Sequence, residues 1–133
     1  MFETNKVKSF SCFLKAVKNV IEEPNLIENE LQRYAFGTDA SFYRLTPQLV
    51  IKINNEEQLI KIIKLSNQHL IPITFRAAGT SLSGQAITDS VLIILSQQWN
   101  KITVLEKGIK VKLQPGVIGS HANRALANYD RKI

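Results

Sequence analysis

The sequence predicts an α/β fold, α+β overall, in which two N-terminal helices precede a small βαβ parallel sheet and the start of a second, antiparallel unit. Three observations carry that prediction. Apolar runs at 49–53, 71–75 and 91–95 mark strands, the last apolar enough to be buried on both faces as parallel strands are. Between the first two runs, apolar residues recur at three- and four-residue steps, the mark of a crossover helix. After Trp99 the pattern changes to alternation of apolar and polar residues, which marks an antiparallel hairpin.

The elements follow in order. Phe10, Phe13, Leu14, Val17, Val20 and Ile21 share one helical face, so residues 8–21 form an amphipathic helix that stops ahead of Pro24. Leu26 to Tyr34 gives a second, shorter helix. Residues 33–47, RYAFGTDASFYRLTP, hold turn residues with little apolar periodicity and are read as ordered loop. LVIKI at 49–53 is the first strand, and Asn54 with Glu57 forms a capping box for the helix behind it. Leu59, Ile62, Ile63 and Leu65 mark that helix's inward face, and it ends near His69. IPITF at 71–75 completes a right-handed βαβ unit whose two strands pair in parallel, and VLIIL at 91–95 is the third strand. Ile102, Val104, Ile109, Val111 and Leu113 flank the turn Glu106 to Gly108 of the hairpin. Gln114-Pro-Gly-Val117 ends it, and Ile118 to Tyr129 forms a last helix with Ala122, Ala125 and Leu126 inward.

Bulk properties narrow the function. A chain of 133 residues, 44% hydrophobic and 21% charged, has the size and composition of one soluble globular domain. Its formal charge is +6, but the 17 Lys and Arg are scattered among 11 acids with no basic stripe, so nucleic acid is not an expected partner. The single cysteine, Cys12, excludes an internal disulfide and fits a reducing compartment; among Phe10, Phe13 and Leu14 it reads as a buried, inert thiol. No apolar stretch approaches the roughly 20 residues that span a bilayer. MFETNKVKSF is not a signal peptide, so the chain is placed in the cytoplasm.

The stretch that points to chemistry is FRAAGTSLSGQA at 75–86. Gly79 and Gly84 permit positive φ, Ala77 and Ala78 let another surface approach closely, and Thr80, Ser81 and Ser83 add hydroxyl donors to those of the backbone. Small residues after a strand are where amides converge on an anion. The glycine spacing matches a nucleotide-triphosphate loop, yet Gln85 stands in the lysine's place and Ala86 in the hydroxyl's, and no G-x-G-x-x-G occurs in the chain. A merely tight, packed loop is the other reading. His69 and His121 read as capping or surface residues, Asp39 and Ser41 as turn formers, and Trp99 as core.

Four motifs in order then carry a resemblance. Arg76-Ala-Ala-Gly-Thr-Ser-Leu-Ser-Gly-Gln85 resembles the R-G-G-G-T-S-L-S-G-Q loop of FAD flavoproteins of the vanillyl-alcohol oxidase and p-cresol methylhydroxylase type. Within that group it is most similar to the branch of the glycolate oxidase FAD subunit, D-lactate dehydrogenase and D-2-hydroxyglutarate dehydrogenase. Tyr34, Thr38-Asp-Ala-Ser41, Tyr43-Arg44 and Pro47 resemble the family's Y-x-x-D-A-S-x-Y-R-x-x-P. Leu95-Ser96 to Asn100-Lys-Ile102 resembles L-S-x-x-N-x-I, and Gln114-Pro-Gly-Val117 resembles V-x-P-G-V.

The resemblance implies an incomplete type 4 FAD-binding domain: a helical segment at 1–32, then 33–133 with a first subdomain at 33–98 and the start of a second at 99–133. It further implies that backbone amides of Ala77, Ala78, Gly79, Thr80 and Ser81 hold the FAD diphosphate, with Gly84, Gln85 and Ala86 closing the loop. Pro115, Gly116 and Val117 join them more weakly. Thr80 aligns with the histidine that some relatives link to flavin, which implies non-covalent FAD, bound weakly or not at all by these residues alone. No catalytic residue and no metal ligand is assigned. The expected partners are FAD, a C-terminal portion of the same protein or a complementary chain, and a second copy meeting the hairpin at 101–113. Two functions follow: the FAD-binding portion of a flavin-dependent dehydrogenase of D-2-hydroxy acids such as lactate or glycolate, or a non-enzymatic interaction module that keeps the scaffold and pairs with another chain.

Overall fold

The computed structural model describes residues 2–95 and 98–133, the side chains from Ser9 onward. Helix α1 (Phe2–Lys18) is followed by a short 3₁₀ turn, a two-residue strand β1 (Leu26–Ile27) and helix α2 (Glu30–Ala35). Strand β2 (Leu49–Lys52), helix α3 (Glu56–His69), β3 (Ile73–Arg76) and β4 (Val91–Ile94) form the central unit. The hairpin of β5 (Ile102–Leu105) and β6 (Lys110–Leu113) and helix α4 (Gly119–Leu126) complete the fold.

The larger sheet runs in the order β1-β2-β4-β3. Strands β2, β3 and β4 are all parallel, as expected, but β2 and β3 are not neighbours: β4 lies between them and pairs with both. VLII of β4 is buried at all four residues, so it takes the sheet position flanked on both sides and β3 goes to the edge. At the opposite edge β1 runs antiparallel, Leu26 opposite Ile51 and Ile27 opposite Val50. The helix expected over 26–34 is therefore shorter. Leu26 and Ile27 are captured by the β2 edge, and Asn29, whose side chain accepts from the Gln32 N–H, starts α2 only at Glu30.

Burial follows the pleat. Leu49, Ile51, Ile53, Val91, Ile93 and Leu95 face α1 and α3, where Phe13, Val17, Ile21, Ile62 and Trp99 complete a closed core. Val50, Leu92 and Ile94 face the other way, toward Ile27 and Phe36. Helix α1 packs against α3; the Ser9 hydroxyl donates to the His69 carbonyl, and the His69 ring meets Phe13 edge-on at 6.2 Å between centroids.

Details differ from expectation by a residue or a face. The capping box is Asn55 and Gln58 rather than Asn54 and Glu57: the Asn55 side chain accepts from Gln58 N–H, and Gln58 Oε1 accepts from Asn54 N–H. Ile63 faces outward, while Ser66, one turn after Ile62 on the buried face, is buried and its hydroxyl donates to the Ile71 carbonyl. The Ile71 N–H returns to the Ser66 carbonyl across a left-handed Leu70, so 70–71 close α3 and β3 begins later. Cys12 is exposed, not buried, because it stands on the α1 face turned away from Phe13 and Val17.

The hairpin stands as a separate two-stranded sheet, Ile102 opposite Leu113 and Val104 opposite Val111. Ile109 belongs to the turn and is 70% exposed. Trp99 fastens the hairpin to the large sheet: its indole N–H donates to the Ile53 carbonyl at 2.6 Å, while its own carbonyl accepts from Gly116 N–H at 2.7 Å. Helix α4 packs on β5 and buries Ala122 and Leu126. No helix among the described residues is long and apolar enough to cross a membrane.

Candidate functional site

The site grows from the end of β3. Arg76 is the last residue of that strand, and its carbonyl accepts from Leu95 N–H, so the chain leaves the sheet at a fixed point. Beyond it the loop turns on two glycines in the left-handed region, Gly79 at φ +70° and Gly84 at φ +76°. Both positions are crowded where a side chain would stand. A Cβ at Gly79 would fall 2.3–2.5 Å from the Arg76 guanidinium, and one at Gly84 would fall 3.1 Å from the Tyr43 ring. Ala77 and Ala78 do not have positive φ, which explains why glycine, common there in the resembling flavoproteins, is dispensable here.

Among the described residues the engaged amides of the loop all lie in its second half, where Gly84 N–H alone stays free; Leu82 N–H, between the halves, is free as well. The N–H groups of Ala77, Ala78, Gly79, Thr80 and Ser81 form no hydrogen bond among the described residues. In the second half Ser83 N–H and Gln85 N–H donate to the Ser81 hydroxyl oxygen, at 3.4 and 3.1 Å, and that hydroxyl donates to Gln85 Oε1. Ala86 N–H reaches the Asp39 carboxylate at 3.4 Å. Gln85 and Ala86, expected to close the loop, have their amides engaged by the protein itself. So have Gly116, bonded to Trp99, and Val117, bonded to the Gln114 carbonyl.

Residues 36–47 form the platform under the loop. Thr38 bridges Arg44, and Leu45 N–H donates to the Gly37 carbonyl, so the segment folds back on itself. Three arginines hold it through backbone carbonyls. Arg33 donates to Glu28 and Pro47, Arg44 donates to Tyr34 while stacking 4.1 Å from its ring centroid, and Arg76 donates to Phe36 and Thr38. Asp39 accepts from Ser41 N–H at 2.9 Å on one oxygen and from the loop on the other. Hydrogen bonding from the Ser41 side chain, ahead of the backbone bonds of Ser41 and Ala86, holds its carboxyl below the ordinary value.

Asp39 and Ser41 are thus turn residues, as the sequence suggests, with an added link to the loop that sequence did not reveal. His121 is exposed, His69 closes α3 against Phe13, and Trp99 is core. Ser96 of the L-S-x-x-N-x-I stretch lies outside the described residues. Among the described residues no cluster of His, Cys, Asp or Glu is suited to a metal ion. The free amides from Ala77 to Ser81, bent at Gly79 in the left-handed region, fit a diphosphate without a metal, the part of FAD that such a loop can hold.

Comparison with known proteins agrees. The FAD binding domain family matches residues 47–133. The chain is 30% identical over 110 residues to a D-2-hydroxyglutarate dehydrogenase of Haemophilus influenzae, covering 78% of this chain and 10% of that protein. It is 30% identical over 105 residues to the glycolate oxidase subunit GlcD of Bacillus subtilis, covering 77% of this chain and 22% of that one. The chain thus spans less than a quarter of either relative. In fold it is similar to p-cresol methylhydroxylase, with a TM-score of 0.74 at 17% identity over 92% of this chain and 25% of the other. The chain belongs to the FAD binding domain family of FAD-linked oxidoreductases, and FAD is its cofactor.

Proposed function

We propose that this chain holds the diphosphate of FAD within a dehydrogenase of D-2-hydroxy acids such as lactate or glycolate. The observation that carries the reading is the run of free amides from Ala77 to Ser81, set at a fixed strand end and opened by Gly79. Bound FAD supplies the redox chemistry; the residues here bind and orient its phosphates. Gln85 and Ala86 act by fixing the loop's shape through Ser81 and Asp39, and Pro115, Gly116 and Val117 act by anchoring the hairpin to Trp99. The relatives with hydroxy-acid names support the substrate class. Thr80 offers a hydroxyl where a linking histidine would stand, so the flavin is held without a covalent bond. Contacts to the flavin ring come from polypeptide outside this sequence.

Flavin fluorescence tests the reading. FAD is expected to bind this chain weakly, with ADP competing and riboflavin not competing. FAD binding indifferent to ADP overturns the diphosphate assignment, and submicromolar affinity or a yellow purified protein overturns the view that the ring contacts lie elsewhere. One observation favours a second reading, self-association: Ile109 and Leu113 of the hairpin region are 70% and 37% exposed. Light scattering decides it, since a monomer at high concentration, or an oligomer unaffected by Val111→Lys, removes that reading.

A further inference from the structure

The free amides are not the only unengaged donors at the end of β3. Arg76 uses Nη1 for both of its hydrogen bonds, to the Phe36 carbonyl at 3.1 Å and to the Thr38 carbonyl at 2.7 Å. Its Nε and Nη2 groups form no hydrogen bond, and it takes part in no ion pair, among the described residues. The guanidinium lies in the space that a side chain at position 79 would fill. It is therefore a positive charge held from behind by two carbonyls, with its remaining donors beside the turn whose amides are bare. A guanidinium keeps its charge at any physiological pH and presents its donors in a rigid fork, which suits phosphate oxygens.

We propose that Arg76 is a direct ligand of the bound diphosphate, giving an otherwise neutral amide cradle its charge. The proposal rests on the diphosphate reading above and deepens it. It also assigns Gly79 a second purpose: besides allowing φ +70°, the absent side chain leaves room for the guanidinium. The two carbonyl bonds hold the charge in place before any ligand arrives, so little ordering is needed on binding.

The test uses the whole chain, nitrogen-15 labelled, with the amide signals of residues 77–81 followed during titration. The probes are inorganic pyrophosphate, ADP and riboflavin, each at low and high sodium chloride. In the wild type, pyrophosphate and ADP affinity is expected to fall with added salt, as for a charged contact. Arg76→Gln is expected to weaken both by roughly tenfold and to flatten the salt dependence, with riboflavin unchanged. Arg76→Lys keeps the charge, so the salt dependence and much of the affinity remain. Equal losses in the two variants with the wild-type salt dependence intact would overturn the proposal and leave Arg76 a packing role, as would a matching loss for riboflavin. If Arg76→Gln does not fold, the Lys variant decides alone: a salt dependence like that of the wild type supports the charge, and its disappearance refutes it. A wild type that prefers neither ADP nor pyrophosphate over riboflavin brings down the diphosphate reading and this proposal together. A wild type that does, with an unaltered Gln variant, removes Arg76 alone.

Discussion

Residues 77–81 and 83–86 belong to one loop and carry similarly small side chains, yet their backbones serve opposite ends. The first half keeps its amides free, while in the second the N–H groups of Ser83, Gln85 and Ala86 are engaged by Ser81 and Asp39. Unpaired amides in water cost little, but held in a fixed array they form a site, and something else must hold them. The engaged half does so, together with Arg76 and Tyr43 beneath the two glycines. The difference teaches that a small-residue loop is not uniformly a ligand cradle; the free run of amides is held in shape by a following stretch in which Ser83, Gln85 and Ala86 are tied to the protein.

The sharpest way to break this division is Gly79→Ala. A left-handed alanine costs about 1–2 kcal/mol, and its methyl would meet the Arg76 guanidinium, which is tied to two carbonyls and cannot swing away freely. We expect about 2 kcal/mol lower stability by urea unfolding and no detectable ADP binding. Unchanged ADP affinity would show that the first half is not the site.

Next comes Ser81→Ala, which removes the oxygen that accepts from both Ser83 and Gln85. The expected loss is about 1 kcal/mol, read in urea unfolding. Faster amide exchange should accompany it at 83–86 and leave the already free amides of 77–81 unaltered. Exchange that accelerates only in the first half would reverse the roles assigned to the two halves.

How much of this was legible in the sequence depends on the range of the interaction. The loop, the crossover helix and the hairpin turn at Glu106–Gly108 are local patterns, and the structure has them where periodicity and turn residues put them. The position of β4 between β2 and β3 is a pairing between distant segments, and no periodicity within 91–95 encodes a neighbour. The one-residue shift of the α3 cap arises because Asn54 and Asn55 are adjacent and both competent caps, so local sequence does not choose between them. Cys12 misled because apolar neighbours in sequence are not neighbours around a helix. The split between free and engaged amides was invisible for the same reason as β4: Asp39 lies 47 positions from Ala86.

Asp39 offers a gentler probe. Its folded-state pKa lies below the ordinary 3.8, so the stabilisation from its ionised form is complete above that value and is lost as pH falls from there through the lowered one. Asp39→Asn should therefore lower the unfolding midpoint at neutral pH, and the gap from wild type should narrow well below pH 3.8. A gap independent of pH would mean that the carboxylate's charge contributes nothing to the latch.

The smallest effect is expected at Ala78, and it tests the comparison from the other side. Ala78 is exposed and lies outside the left-handed region, so nothing in its backbone calls for glycine. Ala78→Gly should lower stability by only about 0.5 kcal/mol, because the unfolded chain gains freedom while the folded loop loses no contact that shapes it. The amide remains, and with it the donor that the binding half contributes. ADP affinity should then change by less than about twofold, measured beside Gly79→Ala by the same amide titration. If Ala78→Gly instead raises ADP affinity strongly, its methyl group obstructs the cradle, and the free half of the loop is shaped less well for a diphosphate than its amides suggest.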